Sequence, residues 1–282
     1  MLIVTVFASL VTARKGSSPV LAALLVIVAL LGLAIGSFLN VVICRVPVGL
    51  SVVRPSSRCP NCDAPIRARH NVPVVGWLVL HGRCADCRTS ISPRYPLVEL
   101  GTGVLFVLVT VWLWNREQLP LAPALLYLAA LGVALALIDL DVRRLPNVIV
   151  LPSYPVLAVL LVVASVGSGD WWALARAGMG AAALFGFYLL LVLVYPAGMG
   201  WGDVKLSGLL GAVMGYVGWA ALVVGAFAGF FFGAVVAIIA MLLGRAGRKS
   251  ALPFGPFMII GAAFGIVLGP WLADVYLGAL GG

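Results

Sequence analysis

Apolar stretches of about 20 residues, the length that crosses the hydrocarbon core of a bilayer, follow one another along almost the whole chain. Eight such spans are expected, at 19–43, 95–115, 121–139, 148–166, 172–195, 204–217, 219–243 and 254–277. The sixth is short, and Gly215 and Gly218 are the only break signals between it and the seventh. Residues 1–13 are apolar but too few to span; they read as an interfacial lead-in before Arg14 and Lys15. Charged residues make up 10% of the chain, against roughly 25% in a soluble domain, so lipid must be its solvent.

Where the charge lies sets the expected topology. Eight of the eighteen Lys and Arg residues fall between Arg45 and Arg94. Arg143 and Arg144 mark a second basic loop, and Arg245, Arg248 and Lys249 a third. The positive-inside rule makes these loops cytoplasmic and puts both termini outside, although Arg14 and Lys15 favour the opposite. The net charge of +9 is thereby explained by topology, and no nucleic-acid partner is expected. Three parts follow: the lead-in and first helix (1–43), a polar cytoplasmic loop (44–94) and a helical membrane bundle (95–282), with no obvious internal repeat. Gly225, Gly229 and Gly233, and likewise Gly261, Gly265 and Gly269, recur every fourth residue, a spacing that lets helix backbones approach closely.

The polar loop carries CPNC at 59–62 and CADC at 84–87. Two Cys-x-x-Cys knuckles at this separation suit a four-thiolate zinc ribbon, with Cys59, Cys62, Cys84 and Cys87 closing the coordination sphere around a structural ion. The loop is too poor in apolar residues to build its own core, so metal binding would supply its folding energy. Disulfides are disfavoured in the cytoplasm. His70 and His81 find no vacant coordination position, and Cys44, at the end of the first span, reads as a buried small apolar residue.

Only nine carboxylates are present. Asp63 and Asp86 belong to the zinc loop, while Glu117, Asp170 and Asp274 fall in or beside external segments. Glu99, Asp139, Asp141 and Asp203 remain at membrane depth, where an ionisable group is costly and usually functional. Asp139 ends the third span and Asp203 opens the sixth, both at the cytoplasmic boundary. Two carboxylates converging there fit an aspartic-peptidase dyad that shares a proton. Gly200 and Gly202, without side chains, would let an extended substrate backbone approach. Lys205 reads as snorkelling to the interface. Spacing alone does not separate Asp139 from Asp141. A transporter using Asp139 and Asp203 as proton or cation ligands, and a non-enzymatic zinc-ribbon scaffold, are the readings from other classes.

These segments together resemble the bacterial type IV prepilin peptidases. The resemblance rests on GSFLNVVICRVP at 36–47, SRCPNCDAPI, NVPVVGWL and GRCADC in the loop, and SPRYPLVEL at 92–100. It continues through IDLDVRRLPN at 138–147, GMGWGDVKL at 198–206 and LPFGPF at 252–257. The family's catalytic aspartate lies seven residues before the Pro of this motif, which points from Pro146 to Asp139; its GxGD aspartate corresponds to Asp203. The resemblance implies a membrane aspartic endopeptidase in the bacterial plasma membrane that cleaves prepilins or pseudopilins after a leader-ending Gly. It further implies methylation of the new N-terminus from S-adenosylmethionine, for which Asn40, Arg94 and Glu99 are the candidate residues. An Arg94–Glu99 pair anchoring the loop is the alternative for two of them. A relative that cleaves without methylating is the nearest enzymatic alternative. Gly76, Val46 and Cys44 depart from the family's usual Ser, Leu and Tyr.

Overall fold

A computed structural model describes residues 19–196, 199–244 and 253–280. The lead-in, Arg14, Lys15, Arg245, Arg248, Lys249 and Gly198 lie outside the described residues. In order, the α-helices are α1 (Pro19–Arg45), α2 (Val75–Val79), α3 (Arg94–Asn115), α4 (Ala122–Val142) and α5 (Asn147–Ser168). They continue with α6 (Trp171–Val194), α7 (Trp201–Val217), α8 (Trp219–Leu242) and α9 (Gly255–Leu280). Helices dominate because lipid offers no partners for backbone N–H and C=O groups, which must bond within the segment. The chain forms two compact units, residues 1–134 and 135–282, with α4 running from the first into the second.

Seven helices among the described residues are long and apolar enough to cross a membrane. Of the eight expected spans, the exception is α7, the short sixth one, with 17 residues. At 1.5 Å per residue it reaches about 25 Å, less than a hydrocarbon core of about 30 Å. Its burial compensates: most of its residues, including Val204, Leu209, Gly211 and Met214, are shielded by the second unit. At its far end Arg176 of α6 donates from Nη2 to the Tyr216 carbonyl at 3.2 Å, taking up one of the final-turn acceptors that lipid could not satisfy. Gly218 separates α7 from α8 at φ 156° and ψ 165°, a backbone region that is essentially glycine-only, which settles where the sequence left the division open.

In the first unit α1 packs on α3 through glycines. A Cβ on Gly32 would lie 2.7 Å from Gly103 Cα, and one on Gly36 2.7 Å from Glu99 Cα. In the second unit the two four-residue glycine series face each other across α8 and α9, so close packing accounts for both. A Cβ on Gly265 would sit 2.5 Å from the Gly225 Cα, and one on Gly269 2.8 Å from the Ala221 Cα. Gly265→Leu should therefore force the helices apart at a cost of about 1–3 kcal/mol or more. Gly278→Leu on the same helix meets no atom within 4 Å and should be tolerated. Thermal unfolding of the two variants in detergent, followed by circular dichroism, separates them.

Candidate active site and metal centre

The second unit buries Asp139 and Asp203 at one end, where α4 stops and α5, α7 and α9 start. Asp139, in the last turn of α4, is 5% exposed, and its Oδ2 accepts the Gly255 N–H at the start of α9 at 3.0 Å. Asp203 sits at the third position of α7 and is 8% exposed. Its Oδ2 accepts the Gly200 N–H at 3.2 Å, while its own N–H donates to the Gly200 carbonyl at 3.1 Å. A carboxylate in a helix's first turn satisfies an orphan donor and faces the positive end of the helix dipole. Asp141, two residues beyond Asp139, is exposed at the surface. Burial thus separates two aspartates that spacing could not.

Leu145 joins the two segments. A Cβ on Gly202 would lie 2.9 Å from Leu145 Cβ, and a Cβ on Gly255 would lie 2.9 Å from Asp139 Oδ2 and 3.5 Å from Leu145 Cδ2. Gly202 is therefore glycine because Leu145 occupies its open side, whereas a Cβ on Gly200 would meet only Asp203 Oδ2, at 3.4 Å, among other side chains. Lys205 does more than snorkel. Its Nζ donates to Asn147 Oδ1 at 2.9 Å, and its carbonyl accepts the Tyr154 hydroxyl at 2.6 Å. These bonds fasten α5 to the start of α7. Behind the site, Tyr188, Phe230 and Phe254 form a ring cluster with centroids 5.2–6.3 Å apart. Tyr188 is 2% exposed. The sequence carries no spacing that foretells this cluster, because its members come from α6, α8 and the approach to α9. At the opposite end of the unit Trp171, Trp172 and Trp219 are exposed, as aromatic residues at a headgroup boundary are.

The first unit holds the four thiols in one place. The sulfur atoms of Cys59, Cys62, Cys84 and Cys87 all lie within 4.8 Å of one another, and Cys59 and Cys87 are 3.8 Å apart. A tetrahedral ion with metal–sulfur bonds of about 2.3 Å requires sulfur separations of about 3.8 Å, so this donor set fits a metal ion. The two knuckles are a repeat that the sequence reading missed: Arg58-Cys-x-x-Cys62-x-x-x-Ile66 recurs as Arg83-Cys-x-x-Cys87-x-x-x-Ile91. Bridges Arg58–Pro65 and Arg83–Ser90 close equivalent loops. Asp63 and Arg88 take the same left-handed backbone at φ 53° and 62°.

Backbone amides prepare these thiols unequally. The Cys62 and Asn61 N–H groups lower the Cys59 thiol, and the Thr89 N–H, followed by the Asn61 side chain, lowers Cys87 to about 6. Cys62 is also lowered by the Ala64 N–H, but its neighbour Cys87 and burial outweigh this and push it up to about 12.

Beside the knuckles the first unit encloses a cavity of about 520 Å³ between the end of α1, the loop and the start of α3. Asn40 and Glu99 line it; Arg94 is not among its lining residues. Asn40 Nδ2 donates to the Tyr95 carbonyl at 3.1 Å. Glu99 Oε2 accepts the Val74 N–H at 2.7 Å, holding Val74 at φ 62°, a conformation that a β-branched residue rarely adopts. Cys44 is not buried. It is exposed on the cavity wall, with Sγ 3.7 Å from the Tyr95 hydroxyl, because α1 turns that face toward the loop at its last turn. At Gly76, one of the departures from the family pattern, a Cβ would run into the His70 carbonyl, so this backbone admits only glycine.

Two buried aspartates at one end of a helical unit, together with four clustered thiols in a polar loop that could hold a metal ion, are the chemistry-bearing features of a polytopic membrane protein. Residues 30–113 match the bacterial peptidase A24 N-terminal domain, and residues 125–238 match the type IV leader peptidase family. The chain is 36% identical over 273 residues to a prepilin leader peptidase/N-methyltransferase of Stutzerimonas stutzeri, covering 88% of this chain and 91% of the relative. It is 37% identical over 261 residues to the protein of that name from Neisseria gonorrhoeae, covering 82% and 86% of the two chains. It is 41% identical over 229 residues to the one from Myxococcus xanthus, covering 78% and 64%. No solved structure matches the chain. The chain belongs to the type IV leader peptidase family and is a multi-pass bacterial membrane protein.

Proposed function

We propose that this protein cleaves the basic leader from type IV prepilins or pseudopilins after a Gly, at the cytoplasmic face of the plasma membrane, and methylates the new N-terminus. The observation that carries the peptidase reading is the burial of both Asp139 and Asp203, distant in sequence, at one end of the second unit, where Leu145 lies beside both Gly255 and Gly202. Two neighbouring carboxylates do not both ionise readily, so one is held protonated. The ionised partner takes a proton from water, and the protonated one donates to the scissile carbonyl. The water oxygen bonds to the carbonyl carbon, the C–N bond breaks, and a proton passes to the departing amine.

The four-cysteine site is read as structural zinc: its fourth position is filled by a thiolate, which leaves none open for substrate. The cavity of the first unit suits S-adenosylmethionine, which supplies an electrophilic methyl group for transfer to an amine. Its volume lies in the range of small-molecule sites. Trp77 and Tyr95 offer ring faces for adenine, and Glu99, Asp86, Arg45 and Arg67 offer charges of both signs for the amino-acid end. Asn40 and Glu99 would position the donor, with Glu99 also holding the turn at Val74.

Co-expression with a full-length type IV prepilin, followed by intact mass and N-terminal sequencing of the product, tests both activities. The expected product begins at the residue after the leader-ending Gly and carries the added mass of one methyl group. Correct cleavage without that mass would leave a peptidase alone; an intact prepilin would remove the peptidase reading.

A further inference from the structure

The loop between α4 and α5 passes directly beside the paired carboxylates, and Leu145 is the residue it places there. Leu145 is half-buried, and its side chain reaches from Gly202, the second residue of α7 and next to Asp203, to Gly255, the first residue of α9, whose N–H bonds to Asp139. The Cβ position on Gly255 is flanked by Asp139 Oδ2 at 2.9 Å and Leu145 Cδ2 at 3.5 Å. A substrate carbonyl bonded to the Asp139 carboxyl group therefore comes within a few ångströms of a leucine methyl. That methyl does not move aside freely. Two residues on, where the loop enters α5, Asn147 Oδ1 accepts from Lys205 Nζ of α7 at 2.9 Å, which holds the end of the loop. The Leu145 stem rests against Gly202.

We propose that Leu145 is a specificity-determining residue: it closes the space beside the carboxylates, so that the substrate residue lying against it must lack a side chain. The inference rests on the peptidase reading. Its chemical content is a preference for glycine at the position preceding the scissile bond, enforced by a wall and not by a hydrogen bond. One added methyl in a closed apolar space changes selectivity by roughly 10–200-fold, so the effect of reshaping the wall is measurable.

The test uses the full chain in detergent or liposomes. Its substrates are a full-length type IV prepilin whose leader ends in Gly and the same prepilin with that Gly changed to Ala. The quantity read is the ratio of kcat/KM for the Ala form to that for the Gly form. Leu145→Ala should raise this ratio about tenfold or more over the native protein, and Leu145→Phe should depress cleavage of the Gly form. A change that only loosened the fold would slow both substrates alike and leave the ratio where it was. An unchanged ratio in an active Leu145→Ala protein overturns the proposal. If that variant cleaves neither substrate, Leu145→Val is read in the same way, and an unchanged ratio there overturns it too. A native protein that cleaves both forms equally also overturns it, whereas one that cleaves neither brings down the peptidase reading itself.

Discussion

Asp139→Asn and Asp203→Asn should each reduce prepilin cleavage about a thousandfold or more while leaving the protein inserted and folded. The fold survives because an amide oxygen can still accept the bonds that matter locally, from Gly255 N–H at position 139 and from Gly200 N–H at position 203. Chemistry does not survive, because an amide neither takes a proton from water nor serves as the acid. The double variant should be scarcely worse than either single one, since each carboxyl group works only with its partner. Asp141→Asn is the control and should keep most activity: Asp141 is exposed, whereas Asp139 is 5% exposed. The measurement is the rate of leader release by each purified variant, beside its thermal unfolding. Normal cleavage by both single variants would sink the dyad and return attention to transport or scaffolding. Normal cleavage by Asp139→Asn with loss in Asp141→Asn would show that the wrong aspartate had been paired with Asp203.

Replacing Cys59 and Cys62 together by Ser should strip the protein of about one zinc per chain and leave the 44–94 loop open to proteolysis. The two substitutions remove half of a donor set whose sulfur atoms lie within 4.8 Å of one another. The knuckles are otherwise joined across the site by surface contacts such as Asn61 Nδ2 to Cys87 Sγ at 3.6 Å and the Arg67–Asp86 ion pair at 3.2 Å. N-terminal methylation should fall with the loop, because Ser57, Cys59, Cys84 and Ile91 form part of the cavity wall. The metal should also be lost on acidification. Cys62, held up to about 12, must release its proton to bind an ion, so affinity falls as pH falls. Elemental analysis of native and variant protein across pH provides the check; stoichiometric iron, or an intact loop without metal, would contradict the zinc reading.

Much of this protein is legible in its sequence. Span length and hydropathy located the helices to within a few residues, since lipid leaves a chain of this composition hardly any other backbone solution. The Cys-x-x-Cys pairs announced a cluster of four thiols that could hold a metal ion, because a tight turn fixes both thiols of a knuckle locally, whatever surrounds it. The glycine series announced close packing, and the structure placed each series against the other.

Other features depend on residues far apart in the chain, and no local pattern encodes them. Asp139 and Asp141 are equivalent as letters, and only the arrival of Gly255, 116 residues later, distinguishes them by burying and bonding one. Lys205 looked like a snorkelling side chain until the fold brought Asn147 to it. Cys44 looked buried because its helix is apolar, yet it borders a cavity that exists only when the loop folds back over α1 and α3. The sequence by itself determined the solvent, the helices and the thiolate knuckles, because each is decided by hydropathy or by backbone geometry over a few residues. The tertiary structure alone decided which carboxylates are buried, which leucine stands beside Gly202 and Gly255 and which residues line the cavity, because those outcomes depend on close packing between segments.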